Sequence, residues 1–449
     1  MAKKKLDESP DSIEAHISLA SVYVDWATRE EVGVDTEALD LAPGETGTRM
    51  LTPEIANRAF RGEVRLDLVM AQRATELLEE IVRRWPDHWE SHLCLLELHQ
   101  LGGQREALLA AIRRTARQFE AGGSETVDRL LRFGRYHYER REFAQARDVM
   151  QALLEVFPRS APLLSSLGAV LIESEELEEA MALFRRAHDL AHEDALIVRN
   201  LASDAMYLGH LEEAEAALEA LRSLEPDQTR VLFELVVVAT ARNPEHAHAA
   251  WTRYLERHAI QPDADDWVAF ARSSSDALAK GSDDRSLLAM ARALSGTGGS
   301  LALALLHGLA RRHPSDSSIP FLMAQAYEQE RLPRNAYAAL QRAEKLLGHP
   351  DPLLAIPTKS LRYEAGRVAL ELDRYADSIR YLEAVEKEAP DTQHLQYLLG
   401  LAHGRAGNKD KALRYYQRCL DLPNNAEYAR YWQQNLESSG VPAAAPGES

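Results

Sequence analysis

Apolar residues return along this chain at intervals of three and four, in short runs that come in pairs. The clearest stretch is 127–228, where three consecutive blocks of 34 residues superimpose without a gap. Phe133-Gly134, Leu167-Gly168 and Leu201-Ala202 fall at equivalent positions, Ala146, Ala180 and Ala214 follow in register, and Pro158 and Pro226 close the first and third blocks. That spacing predicts one helix-turn-helix per block. The small residue on the first helix and the Ala on the second mark where the two backbones approach, so a bulky side chain there would force them apart at about 1–3 kcal/mol. The closing Pro ends the second helix. A single hairpin cannot bury both of its faces, so such blocks must stack.

Either side of this stretch the pattern continues less regularly. Ile13, Ile17, Leu19, Ala20, Tyr23 and Trp26 predict an amphipathic helix, but residues 30–50 follow as an acidic stretch rich in Gly, Pro and Thr. Ala74, Leu78, Ile81 and Pro86 then supply the expected second helix, so the first repeat reads as split by an insertion, expected to be a disordered or capping loop rather than a binding lid. A weaker repeat covers about 89–121, with the turn Gly102-Gly103 before Ala107. Beyond Gln228 a block is marked by Val238, Ala250 and Tyr254, and an extra helix with Trp267 and Phe270 breaks the period. Regularity returns with Ala302, Leu306 and Pro314, then Ala324, Tyr327, Ala336, Leu340 and Ala343, then Gly366, Leu382 and Pro390, and last Gly400, Ala412 and Tyr416. The expected organisation is therefore a disordered N-terminus (1–10), a cap and split first repeat (11–88), a first array (89–264), an irregular linker helix (265–282), a second array (283–437) and a disordered tail (438–449).

These blocks resemble the tetratricopeptide repeat family, whose signature is a small residue at position 8, an aromatic near 11, Ala at 20, a large apolar residue at 24, Ala at 27 and Pro at 32. Phe184 and Ala187 complete the middle copy. The resemblance implies an all-α solenoid of helix-turn-helix repeats winding as a right-handed superhelix, in two arrays joined at the irregular helix. It also implies a groove lined by first-helix positions 2, 5, 9, 12 and 13. Those positions, with their neighbours, nominate Arg132, Arg135, Tyr138, Arg199, Tyr207, Gln325, Tyr363, Arg367, Tyr397 and Arg405 as partner-binding residues. Arg and Tyr recur among them, as they do at interface hot spots. Arg129, Arg132, Arg135, Tyr136 and Tyr138 form a basic, aromatic patch suited to an acidic or carboxylate-bearing peptide, unless its arginines pair with acids such as Glu139 and Glu142. Two functional subtypes of the family do not fit. Leu131, Arg135 and Ser166 stand where a clamp for chaperone C-termini needs Lys and Asn, and Asn200 alone supplies the asparagine ladder of sugar-transferase arrays among the clear copies.

Composition narrows the function classes. With 52 Lys and Arg against 70 Asp and Glu, the formal charge is -18, which repels nucleic-acid phosphates and anionic membranes. Cys94 and Cys419 both sit inside helical patterns and read as buried thiols in a reducing compartment. No apolar run approaches a membrane span, and the N-terminal lysines precede no apolar stretch, so a cytoplasmic protein is expected. His188 with His192, and His246 with His248, lack the third and fourth ligands that a zinc site needs. Gly296-Thr297-Gly298-Gly299-Ser300 lacks the Gly-Lys-Ser/Thr end of a phosphate loop and falls where a repeat turns. Neither catalytic residues nor a cofactor, then, are expected. The reading is a non-enzymatic scaffold or adaptor for a protein or peptide, oligomeric state open. A regulatory or targeting subunit of a separate enzyme is the alternative, and nucleic-acid binding through a hidden basic stripe a third.

Overall fold

The computed structural model describes residues 2–27, 68–226, 228–258, 270–276, 284–296, 298–348, 352–390 and 393–421. Every regular element among them is helical. The chain divides into two compact units, residues 1–171 and 172–449.

In the first unit, α1 (Ala2–Glu8) packs on α2 (Ile13–Ala27), and α2 packs on α3 (Leu68–Arg84). Residues 1–10 were expected to lack structure; Ala2–Glu8 is instead a helix, rich in the good helix formers Ala, Lys, Leu and Glu and with α2 to lie against. Helices α2 and α3 pack as a pair. Ala20 and Val24 of α2 bury against Ala74, Leu78 and Ile81 of α3, and Cys94, Leu95 and Leu98 of α4 (Trp89–Leu101) close the cluster. Arg84 ties the pair together by donating to the Pro10 carbonyl at 2.8 Å and to Asp11 at 2.9 Å. Helices α5 (Arg105–Gln118), α6 (Ser124–Glu139), α7 (Phe143–Leu154) and the start of α8 (Ala161–Glu173) complete the unit. The expected loop at 30–50 lies outside the described residues.

In the second unit the chain continues as α9 (Leu177–Leu190), α10 (Ala195–Leu208), α11 (Leu211–Leu224), α12 (Thr229–Arg242) and α13 (Ala247–His258). After a helical stretch at 270–276 come α14 (Asp284–Leu294), α15 (Gly299–Arg312), α16 (Ser318–Gln329), α17 (Pro333–Lys345), α18 (Thr358–Glu371), α19 (Tyr375–Glu386), α20 (Gln393–Arg405) and α21 (Lys409–Asp421). The linker helix expected over 265–282 is described only at 270–276, and the expected tail at 438–449 lies outside the described residues.

Two features of the repeat explain why these sequences pair. The small residue at position 8 faces the large residue at position 24. A methyl group on Gly366 would sit 2.6 Å from Leu382, one on Gly400 2.5 Å from Tyr416, and one on Gly134 3.1 Å from Met150. The turn between paired helices then passes through a left-handed residue at position 15, which is Gly103, Gly209 and Gly407 in three repeats. Arg141, Glu175, Arg331 and Asp373 hold the same conformation without glycine's freedom, at φ of 58–61°. Three of the four use their side chains. Arg141 lies over the Phe143 ring, Glu175 accepts the Asn335 backbone N–H at 2.8 Å, and Asp373 accepts from Tyr375 at 2.6 Å.

The second unit also folds back on itself. Helix α15 packs not only on its chain neighbours α14 and α16 but also on α10 and α12. Its Leu301–Leu306 run and Leu309 are buried on every side, as a helix covered all round requires. Gly308 permits the closest approach, since a side chain there would run into the Ala241 carbonyl at the end of α12.

Candidate functional site

Three surfaces carry the residues that the repeat register nominates, and the structure treats them differently.

On α6 the arginine patch is largely neutralised. Arg129 bonds Glu125 at 2.6 Å and lies over the Trp89 ring, 5.2 Å from its centroid. Arg132 bonds Glu97 of α4 at 2.5 Å and lies over Phe133. Burial pushes the Glu97 carboxyl up, and the Arg132 charge opposes that shift, so the two are mutually dependent. Tyr138 packs edge-on against Phe143. Arg135 alone stays exposed with no hydrogen bond or ion pair among the described residues. Glu142 is occupied by His137 at 2.7 Å and Arg140 at 3.1 Å. Arg129 and Arg132 do pair, but with Glu125 and with Glu97 of the preceding repeat rather than with Glu139 or Glu142.

On α10 the nominated residues are consumed by the fold. Arg199 bonds Glu225 at 2.6 Å. Tyr207, expected in an open groove, is buried instead, because α15 and α16 close over the C-terminal end of α10. Its hydroxyl donates to Glu330 at 2.6 Å, and its carbonyl accepts from His307 Nε2 at 2.9 Å and from the Tyr327 hydroxyl at 3.1 Å. Arg311 donates to the Gly209 carbonyl at 2.8 Å, and Arg312 to the Ala241 carbonyl at 3.3 Å. These are the carbonyls a helix end leaves without a partner, and cationic donors are the groups best suited to them. Burial lowers the His307 pKa to about 4, so it serves as a neutral donor. Nearby, Asp204 is fully buried with neither carboxylate oxygen hydrogen-bonded. Desolvation, with Glu178 and Glu213 adding repulsion against the pull of Arg185, raises its pKa to about 8.

On the C-terminal repeats the nominated residues come together on an accessible face. Helices α16, α18 and α20 are successive first helices. Gln325 borders a cavity of about 340 Å³ whose other walls include Ser295, Glu328, Gln329, Glu364 and Arg367. Arg367 bridges Glu328 on α16 and Glu364 on its own helix, the latter at 2.9 Å. Burial pushes the Glu328 carboxyl up, while Arg367 opposes that shift. The Tyr363 hydroxyl donates to His394 Nδ1, and His394 stacks on Tyr397 with 6.3 Å between centroids. The His394 pKa is lowered by burial and by the Arg367 charge, so that ring carries no charge near neutrality. Arg405 lies 3.7 Å from Asp373. Glu328, Glu364 and His394 were not nominated from the sequence, although Glu328 and His394 occupy positions 12 and 2 of their repeats and the register alone marks them.

Elsewhere, His192 is exposed beside Glu193 at 3.9 Å, and His248 lies 3.4 Å from the Ser275 hydroxyl. Cys94 and Cys419 are both buried. Among the described residues no helix is long and apolar enough to cross a membrane.

No curated protein matches the chain. Among solved structures it is similar to a tetratricopeptide repeat protein from Parabacteroides merdae, at 15% identity over 61% of this chain and 98% of that one, TM-score 0.31. It is similar also to yeast Tom70, at 12% identity over 86% and 94%, TM-score 0.30. A third is YrrB, described as a TPR protein with an unusual peptide-binding site, at 12% identity over 64% and 97%, TM-score 0.23. The tetratricopeptide repeat profile matches residues 131–195, 199–250 and 363–427, which hold the position 8 to position 24 contacts of Gly134 and Gly400. Over those stretches the chain carries tetratricopeptide repeats.

Proposed function

We propose that this chain is a non-enzymatic scaffold or adaptor that holds a partner protein or peptide against the face built by α16, α18 and α20. The observation that carries the reading is that Gln325, Tyr363, Arg367 and Tyr397 lie along three successive first helices, Gln325 and Arg367 lining a cavity, whereas Tyr207 on an earlier first helix is buried by the chain itself. Tyr and Arg on such a face offer contact area together with directional and charge-assisted hydrogen bonds. Two buried cysteines far apart in sequence suit a reducing, cytoplasmic setting.

Photo-crosslinking tests it. A crosslinking side chain placed at Gln329, Tyr363 or Tyr397 is expected to trap one and the same protein from native lysate, and one placed at exposed Arg253 of α13 is expected not to. Equal trapping from all four positions, or trapping from Arg253 alone, would contradict the reading.

A further inference from the structure

Resting on that reading, we infer that the occupant of the α16–α18–α20 face is a cationic segment, one that presents Lys or Arg side chains. Four carboxylates lie on or beside the face, those of Glu328, Glu364, Glu371 and Asp373, against two guanidiniums, those of Arg367 and Arg405. Both guanidiniums are already engaged: Arg367 is shared by Glu328 and Glu364, and Arg405 faces Asp373. His394 adds no positive charge. Glu371 is exposed at the end of α18 with no ion pair among the described residues. An arriving cation therefore meets acids in excess, and Glu328, whose burial disfavours its charge, gains most from a second positive partner.

The aromatic residues point the same way. The rings of Tyr363 and Tyr397 are half-buried on this face, and ring faces attract guanidinium and ammonium groups. The same unit already contains such pairs, Arg380 lying 4.0 Å from the Tyr381 centroid and Arg374 4.7 Å from that of Tyr337. It also shows its own helix ends covered by cationic donors, Arg311 on Gly209 and Arg312 on Ala241. A formal charge of -18 adds long-range attraction for a basic partner and repulsion for an acidic one.

The test uses the full chain and two labelled amphipathic peptides of equal length and equal apolar content, one bearing Lys and Arg, the other Glu in their places. Anisotropy at about 0.15 M salt is expected to show saturable binding of the cationic peptide only. Glu371→Lys and Glu364→Lys are each expected to weaken it about tenfold, while Glu193→Lys on a distant exposed site leaves it within about twofold. Equal loss in all three variants would mean attraction to net charge alone and would overturn the inference. Preferential binding of the Glu peptide, trapped by a crosslinker at Tyr363, would overturn the charge assignment and leave the face standing. Cationic binding that none of the variants changes, trapped away from Gln329 and Tyr363, would overturn both.

Discussion

The first helices at 195–242 and those at 318–405 obey the same spacing rule and meet opposite fates. In the former, α15 lies across the C-terminal ends of α10 and α12, and Tyr207, Gly209 and Ala241 spend their carbonyls on His307, Tyr327, Arg311 and Arg312. In the latter, Tyr363, Arg367 and Tyr397 stay partly exposed, and Gln325 and Arg367 line a cavity. Periodicity decides which residues of a repeat face inward. Whether that face stays open is decided by a contact about a hundred residues away.

The comparison breaks most readily at Gly308. Gly308→Leu drives a side chain into the Ala241 carbonyl, a backbone group that cannot step aside, and is expected to cost about 3 kcal/mol in denaturant unfolding and to expose the amides around Tyr207 to exchange. Unchanged stability would mean that α15 is not seated against α12. Gly366→Leu meets the Leu382 and Tyr381 side chains and no backbone group, so about 2 kcal/mol is expected, with exchange around Tyr207 unaltered.

The third prediction concerns pH. Asp204 holds its proton in the folded chain up to about pH 8, whereas in the unfolded chain it ionises near its ordinary value of 3.8, so the folded state carries the extra proton between those limits. Its contribution is therefore fully present below pH 4 and is lost as pH rises towards 8. Asp204→Asn is expected to flatten that decline and to raise stability at pH 8 by about 1 kcal/mol. His307 tilts the other way. Neutral down to about pH 4 when folded, it costs stability as pH falls from 6.5. Melting curves of the Asn variant that keep the full slope between pH 5 and 8 would show that Asp204 is ionised when folded. The smallest effect belongs to the turn: Arg331 holds φ of 59° with an exposed side chain, and Arg331→Gly is expected to stabilise by about 0.5 kcal/mol, relief of the left-handed strain outweighing the added freedom of the unfolded chain.

Much of this was legible in the sequence because the repeat is a local object. Gly134, Gly366 and Gly400 mark helix crossings, and Ala74, Leu78 and Ile81 mark the apolar face with which α3 meets Ala20 and Val24 of α2. What escaped is non-local. The acid paired with Arg132 sits one repeat back at Glu97, a partner that no helical spacing within α6 selects. Two signals for the folded-back segment were present: the Leu301–Leu306 run is apolar on every face, and Gly308 interrupts a good helix where only close backbone contact repays its cost. The left-handed position 15 was half visible in Gly103, Gly209 and Gly407, and hidden where Arg141, Glu175, Arg331 and Asp373 replace glycine.

Hydrogen exchange on the free chain and on the chain saturated with its crosslinked partner tests the central claim most directly. Slowing confined to amides of 318–405, with 299–312 protected equally in both states, is the predicted result. Slowing at 195–242 accompanied by faster exchange at 299–312 would show that the partner displaces α15 and takes the covered surface instead, contradicting the account.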